Sequence, residues 1–144
     1  MSTPRPWSPA GDDLPAPLIP LERTFEGFLG LDWLELTEEL AHVRFEVREN
    51  LKQPLGLLHG GIYSAVAETL ASVATAFAVW KDGYTAAGMS NSASFLRPVT
   101  DGTVEAICRR RSREADRWLW NTEFVQYQAR LCALVDVTIA VRPR

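Results

Sequence analysis

Gln53, His59, Gly60, Glu68 and Ser72 fall within one twenty-residue run, QPLGLLHGGIYSAVAETLAS. Between Lys52 and Lys81, Glu68 is the only acid and His59 the only imidazole; most of the rest is apolar. A stretch apolar on all sides reads as a buried helix. A lone carboxylate there must be paired, protonated or in use, because an unpaired charge in a dry interior is strongly unfavourable. Glu68 and Ser72 are four residues apart and so share a helix face. A carboxylate beside a hydroxyl can hold and activate a water, or attack an electrophile while the hydroxyl places the water. It can equally be a structural acid satisfied by its neighbour.

His59-Gly60-Gly61 stands where a loop becomes that helix. Glycines there let a ligand approach the backbone. The first N–H groups of a helix lack intrahelical partners and carry partial positive charge. The Gly60 N–H is therefore a candidate donor to an oxygen that becomes negative during reaction, and Gly61 is counted among the substrate-facing positions. A tight helix entry with no ligand is the other reading. Gln53 can donate to a substrate carbonyl or brace its own loop. His59 can help place a substrate or simply hydrogen-bond within the loop.

Spacing adds a constraint. Gly60 and Glu68 are eight residues apart, about 12 Å of helical rise. A donor and a nucleophile or base acting on one carbonyl must each lie within roughly 3 Å of it. One subunit cannot bring them together. If both act, Gly60 comes from one subunit and Glu68 from its partner, with the two central helices antiparallel.

The elements that must hold these groups follow from pattern. The first twenty residues carry six of the nine prolines, a density that blocks helix and ladder alike. They read as a flexible or extended arm, with Trp7 available as an anchor on a neighbouring subunit; a plain disordered tail is the other reading. A short helix is expected over Leu21 to Phe28, closed by Gly30, and a first strand over Leu31 to Leu36. Leu40 to Arg48 alternates, with Ala41, Val43, Phe45 and Val47 on a dry side and His42, Arg44, Glu46 and Arg48 on a wet one. After the long helix, strands are expected over Thr85 to Leu96, Thr103 to Arg111, Arg117 to Gln126 and Leu131 to Val141. Two strands, one long helix and four more strands make an α+β layer, one helix across one curved antiparallel sheet. Its exposed sheet edge and apolar helix call for a second copy.

Composition bounds the rest. The 144 residues suit one domain, residues 21–144, behind the arm of residues 1–20. The formal net charge of −3 argues against a broad nucleic-acid surface. The N-terminus lacks a signal-peptide pattern, and no uninterrupted apolar run reaches spanning length, so a soluble cytoplasmic protein is expected. Cys108 and Cys132 fit no metal-ligand spacing and are expected to be reduced thiols on strands; no metal is expected. Arg97, Arg109, Arg110, Arg111, Arg113 and Arg117 cluster late in the chain, with Arg109 and Arg111 on one face if alternation holds. Their planar forks suit phosphates such as those of coenzyme A; an ordinary solvated strand is the alternative.

At QPLGLLHGGIYSAVAETLAS the sequence resembles the hotdog-fold acyl-CoA thioesterases. It looks like the 4-hydroxybenzoyl-CoA and phenylacetate-pathway branch, which includes thioesterases acting on 1,4-dihydroxy-2-naphthoyl-CoA and those proofreading the enterobactin pathway. The resemblance implies a hotdog fold, one long central helix wrapped by a six-stranded antiparallel sheet. It implies hydrolysis of an aryl- or medium-chain acyl-CoA, with coenzyme A part of the substrate and no cofactor. The assembly implied is a homodimer at least, and a homotetramer as a dimer of dimers. Glu68 would be nucleophile or general base, Gly60 N–H would polarise the carbonyl, Gln53 and His59 would place the thioester, and Ser72 the water. SFLRPVTDG resembles the family's FLRP strand and turn. By that match Gly88, Phe95, Leu96, Arg97 and Pro98 would line the coenzyme A path, and Ser112, Arg113 and Arg117 would approach its phosphates. The chain departs from its relatives at SREADR, which has no glycine and two acids. A hotdog hydratase would place an Asp shortly before the His, where this chain has KQPLGLL. The dehydratases space His and Glu further apart. A non-catalytic acyl-CoA-binding module could dispense with Glu68.

Overall fold

The structure, a computed structural model, describes residues 6, 7 and 13–144. The remainder of the expected arm lies outside those residues. Six strands form one antiparallel sheet in the order β1-β2-β4-β5-β6-β3. They are β1 Asp32–Leu36, β2 Leu40–Glu46, β3 Tyr84–Phe95, β4 Thr103–Arg113, β5 Arg117–Gln126 and β6 Arg130–Pro143. A helix α1, Phe25–Leu29, precedes β1, and the long α2, Gly60–Val79, lies between β2 and β3. This is the expected hotdog layer.

Period two fixes which side of the sheet meets α2. Ala41, Val43 and Phe45 of β2 are buried, as are Val104, Ala106 and Cys108 of β4. Trp118, Trp120, Thr122 and Phe124 do the same in β5. Against them pack Ile62, Tyr63, Val66, Ala67, Leu70, Ala71 and Ala74 of α2. One polar relay lies within this core: Trp120 Nε1 donates to Thr75 Oγ1 at 2.9 Å, and Thr75 donates to Ala71 O at 2.7 Å. Satisfying the indole N–H is what makes its full burial tolerable.

Both helix ends are specified locally. His59 caps α2, its Nδ1 accepting the Gly61 N–H at 2.8 Å. A single 3-10 turn, Trp80–Asp82, then closes on Gly83 at φ 88°, a left-handed conformation that favours glycine.

Several expectations are corrected. The helix read over Leu21 to Phe28 is a 3-10 turn, Leu21–Arg23, followed by α1, because the Thr24 hydroxyl accepts from Gly27 N–H and starts a new helix. β4 runs on to Arg113 rather than stopping at Arg111. The pairing register shifts between Arg110 and Ser112, so the ladder survives while strict alternation of the arginines does not. His42 is half-buried rather than on a wet surface, 3.7 Å from Glu105. By length and composition α2 could cross a membrane, contrary to the sequence reading, but 67% of its most apolar window is buried within this fold.

Candidate active site

The expectation that α2 is buried all round also fails, and the exception is informative. Its own sheet leaves one stripe uncovered, with Gly61 and Glu68 exposed and Ser64, Ala65, Thr69, Ser72 and Ala76 only half-buried. Glu68 therefore opens outward rather than into a dry core, with Ser72 one turn on. Both border an apolar cavity of about 700 Å³. Gly88 of β3 lies across from the acid: a Cβ placed on it would stand 2.9 Å from Glu68 Oε1. The β3–β6 register slips between Gly88 and Ser90 at this point. Asn91 Nδ2, donating to Ser64 O at 2.9 Å, ties β3 to the helix.

The start of α2 gathers a second group. The loop before it is braced by Gln53, whose Oε1 accepts the Leu55 N–H. Leu58 N donates to Val99 O at 2.8 Å, and His59 N to Leu51 O at 3.0 Å. These bonds lay the loop beside Leu96, Arg97 and Pro98, where Leu96 N and Arg97 N both donate to Cys132 O, at 2.9 and 3.1 Å. The Phe95 ring covers the helix entry, 2.7 Å from where a Gly60 Cβ would be, and packs on Tyr63 at 5.9 Å between centroids. His59 and Gln53 thus do have structural tasks. Because His59 Nδ1 accepts a hydrogen bond, a neutral ring carries its proton on Nε2, pointing a donor outward from the cap.

Ser112, Arg113 and Arg117 lie at the β4–β5 hairpin. Arg113 stacks on Trp118 at 4.5 Å, with Arg110 on the same ring at 5.0 Å. The hairpin tip lines a hollow with Val79 and Tyr84, at the far end of α2. A helix of 20 residues is about 30 Å long. One subunit therefore brings Gln53, His59, Gly60, Gly61 and Phe95 to Pro98 together, places Glu68, Ser72 and Gly88 together mid-helix, and sets Arg113 by the C-terminal end of α2, while Arg117 pairs with Ala140 of β6, whose other partner is Ala87 beside Gly88.

Two residues were not among the candidates. Trp7 Nε1 donates to Glu26 Oε2 of its own chain at 2.8 Å. Burial pushes the Glu26 carboxyl above its usual value of 4.5; hydrogen bonds from Trp7 and Thr69 act against this, and the Glu68 charge adds to it. An acid set between Phe25 and Phe28 was the available signal. Among the described residues no group of three His, Cys, Asp or Glu could hold a metal ion. Both cysteines are free and buried, with burial pushing the Cys108 thiol up to about 12.

Comparison with known proteins gives this geometry a family. Residues 55–133 match the model of the thioesterase superfamily. The chain is 33% identical over 113 residues to the proofreading thioesterase EntH of Cronobacter turicensis, covering 78% of this chain and 82% of the relative. Among solved structures, S. sahachiroi AziG superposes with a TM-score of 0.80 at 32% identity, covering 84% of this chain and 98% of that one. Thioesterase HI1161 of Haemophilus influenzae superposes with a TM-score of 0.78 at 27% identity, covering 84% of each chain. A helix-borne acid facing open space, a glycine-lined helix start and a six-stranded sheet around one helix are thus accounted for together: the chain belongs to the thioesterase superfamily and is a hotdog-fold thioester hydrolase.

Proposed function

We propose that this protein hydrolyses an aryl- or medium-chain acyl-CoA to the free acid and coenzyme A. One observation carries the reading: Glu68, with Ser72 beside it, opens from an otherwise apolar helix onto an apolar cavity of about 700 Å³, a size that suits an acyl group. In this mechanism the Glu68 carboxylate attacks the thioester carbonyl or takes a proton from water held by Ser72. The carbonyl oxygen becomes negative and is met by the Gly60 N–H of the partner subunit. The carbon–sulfur bond breaks, the thiolate of coenzyme A leaves and takes a proton, and water supplies the second oxygen of the acid. His59 Nε2–H and the Gln53 amide nitrogen hold the thioester in place. Gly61, Gly88 and the segment Phe95, Leu96, Arg97 and Pro98 line the coenzyme A path, and Ser112, Arg113 and Arg117 approach its phosphates.

The working unit is a homodimer, doubled into a tetramer by analogy with the family. What supports it is the separation of Gly60 from Glu68 along one helix and the long edge strand β3, paired on one side only among the described residues. The acyl-CoA is the only partner needed, with no resident cofactor, nucleic acid or membrane. The free thiols suit the reducing cytoplasm.

Thiol release from a panel of aromatic and fatty acyl-CoAs, read with a thiol dye, tests this directly. Turnover that disappears in Glu68→Gln while the fold persists supports it. Binding without release identifies an acyl-CoA sensor instead, and full turnover by Glu68→Gln removes the acid from the mechanism. Label from heavy-oxygen water appearing in Glu68 after a single turnover identifies a mixed anhydride opened at the Glu68 carbonyl.

A further inference from the structure

The cavity beside Glu68 has two unlike walls. One is the bare stripe of α2, with Ala65, Glu68 and Ser72. The other comes from the proline-rich segment, chiefly Trp7, Pro17 and Leu18, with Phe25 of α1 beside them. That segment precedes residues 55–133, which carry the family match. It is held by a specific contact: Trp7 Nε1 donates to Glu26 Oε2 at 2.8 Å, across 19 residues of sequence. Prolines suit such a wall, since a segment with fixed φ loses little entropy when it settles against a helix. The wall is markedly apolar. Leu18 is fully exposed and Phe25 59% exposed, so both have side-chain surface free to meet a ligand.

We infer that Trp7 and residues 15–19 form the far wall of the acyl pocket, and that this arm, latched to Glu26, sets which acyl chains the enzyme accepts. The inference rests on the proposal that Glu68 works on the thioester carbonyl. A carbonyl held at Glu68 places the attached acyl chain in the cavity that Glu68 borders, and the arm is the surface that the chain then meets. The occupant is thus the acyl part of the substrate, with an apolar end. Leu18 and Trp7 act as specificity residues, and Glu26 as a positioning residue that acts through Trp7.

Each methylene that moves from water to an apolar wall gains about 0.8 kcal/mol, or roughly fourfold in kcat/KM. From butyryl-CoA to octanoyl-CoA the full-length protein should therefore gain strongly in kcat/KM. Leu18→Asp, which sets a charge into the wall at a fully exposed position, is expected to lower the octanoyl-to-butyryl ratio at least tenfold. Trp7→Ala and Glu26→Leu, which removes the acceptor of the Trp7 N–H, should lower it in the same direction, each checked for a retained fold by circular dichroism. Ratios equal to wild type in Leu18→Asp and Trp7→Ala overturn the role of the arm. A titration with the non-hydrolysable octanoyl thioether of coenzyme A reads the wall without chemistry. Leu18→Asp should weaken it at least tenfold, and unchanged affinity would overturn the inference even if the enzyme turns over. Conversely, absent thiol release from every thioester would defeat the proposed hydrolysis, while a tenfold loss of thioether binding in Leu18→Asp would still support the arm as the acyl wall.

Discussion

Glu68 shows how far a single side chain can be read. Its helical register with Ser72 and its isolation among apolar residues mark it in the sequence, because helical period alone decides what shares a face. Its replacement by Gln is expected to cut kcat by about 100- to 10,000-fold, measured by thiol release at saturating substrate. Gly88 is a subtler test. A methyl group there would stand 2.9 Å from Glu68 Oε1, so Gly88→Ala must displace the carboxylate. Misplacement by about 1 Å can cost roughly 100-fold in rate, and here the loss should appear in kcat with the melting temperature nearly unchanged. Glu26 could be suspected as an acid between Phe25 and Phe28, but its contact with Trp7 was not legible, since it crosses a proline-rich segment with no period to follow. Its carboxyl is held above the usual 4.5 by burial. The folded state thus favours the protonated form, so this group's contribution to stability is greatest below about pH 4.5 and is lost as pH rises through the raised folded value. Glu26→Gln should flatten that part of the stability–pH curve, measured by denaturant melts across pH 3 to 8.

At the scale of elements, the alternation of β2 and the apolar length of α2 give the layer arrangement, and β5 spans the residues its pattern predicts. Boundaries were less legible where a side chain or a register slip intervenes. The Thr24 cap splits one expected helix into two pieces, and the slip at Arg110 and Ser112 lengthens β4. The Thr75–Trp120 contact was invisible as well, since it joins residues 45 apart in sequence. Thr75→Val keeps the shape but leaves a buried indole N–H unmet, which should cost about 1–3 kcal/mol, read from chemical denaturation. The β5–β6 turn passes through Ala129 at φ 60°. A left-handed conformation costs a non-glycine residue roughly 1 kcal/mol, so Ala129→Gly is expected to raise stability by up to about that amount, less the extra entropy glycine has when unfolded.

At the scale of the whole molecule, one chain holds the parts of the site but not the site. The sequence makes this legible through simple helical rise between Gly60 and Glu68, whereas the placement of Arg113 by the end of α2 and of Arg117 across β6 from Ala87 needed the sheet. A mixing experiment follows. Gly60 is the first residue of α2, a position where the helix itself tolerates proline while losing the N–H; the Phe95 ring, 60% exposed and 2.7 Å from the new Cβ, must turn aside, so a retained fold is checked by circular dichroism. Gly60→Pro and Glu68→Gln should each be inactive alone. Unfolded together and refolded, they form mixed dimers carrying one intact site, and activity should return to about a quarter of wild type for random pairing of two-fold dimers. No recovery would mean that donor and acid do not come from different subunits.

The edge strand β3 spans 12 residues with its outer side free among the described residues. A lone copy therefore exposes a ladder onto which any extended chain can graft. Correct pairing and aggregation compete for the same row of amides, so the melting temperature should climb with protein concentration when the mate is a native copy. Slow, concentrated refolding should give enzyme where hot, crowded nascent chains give precipitate.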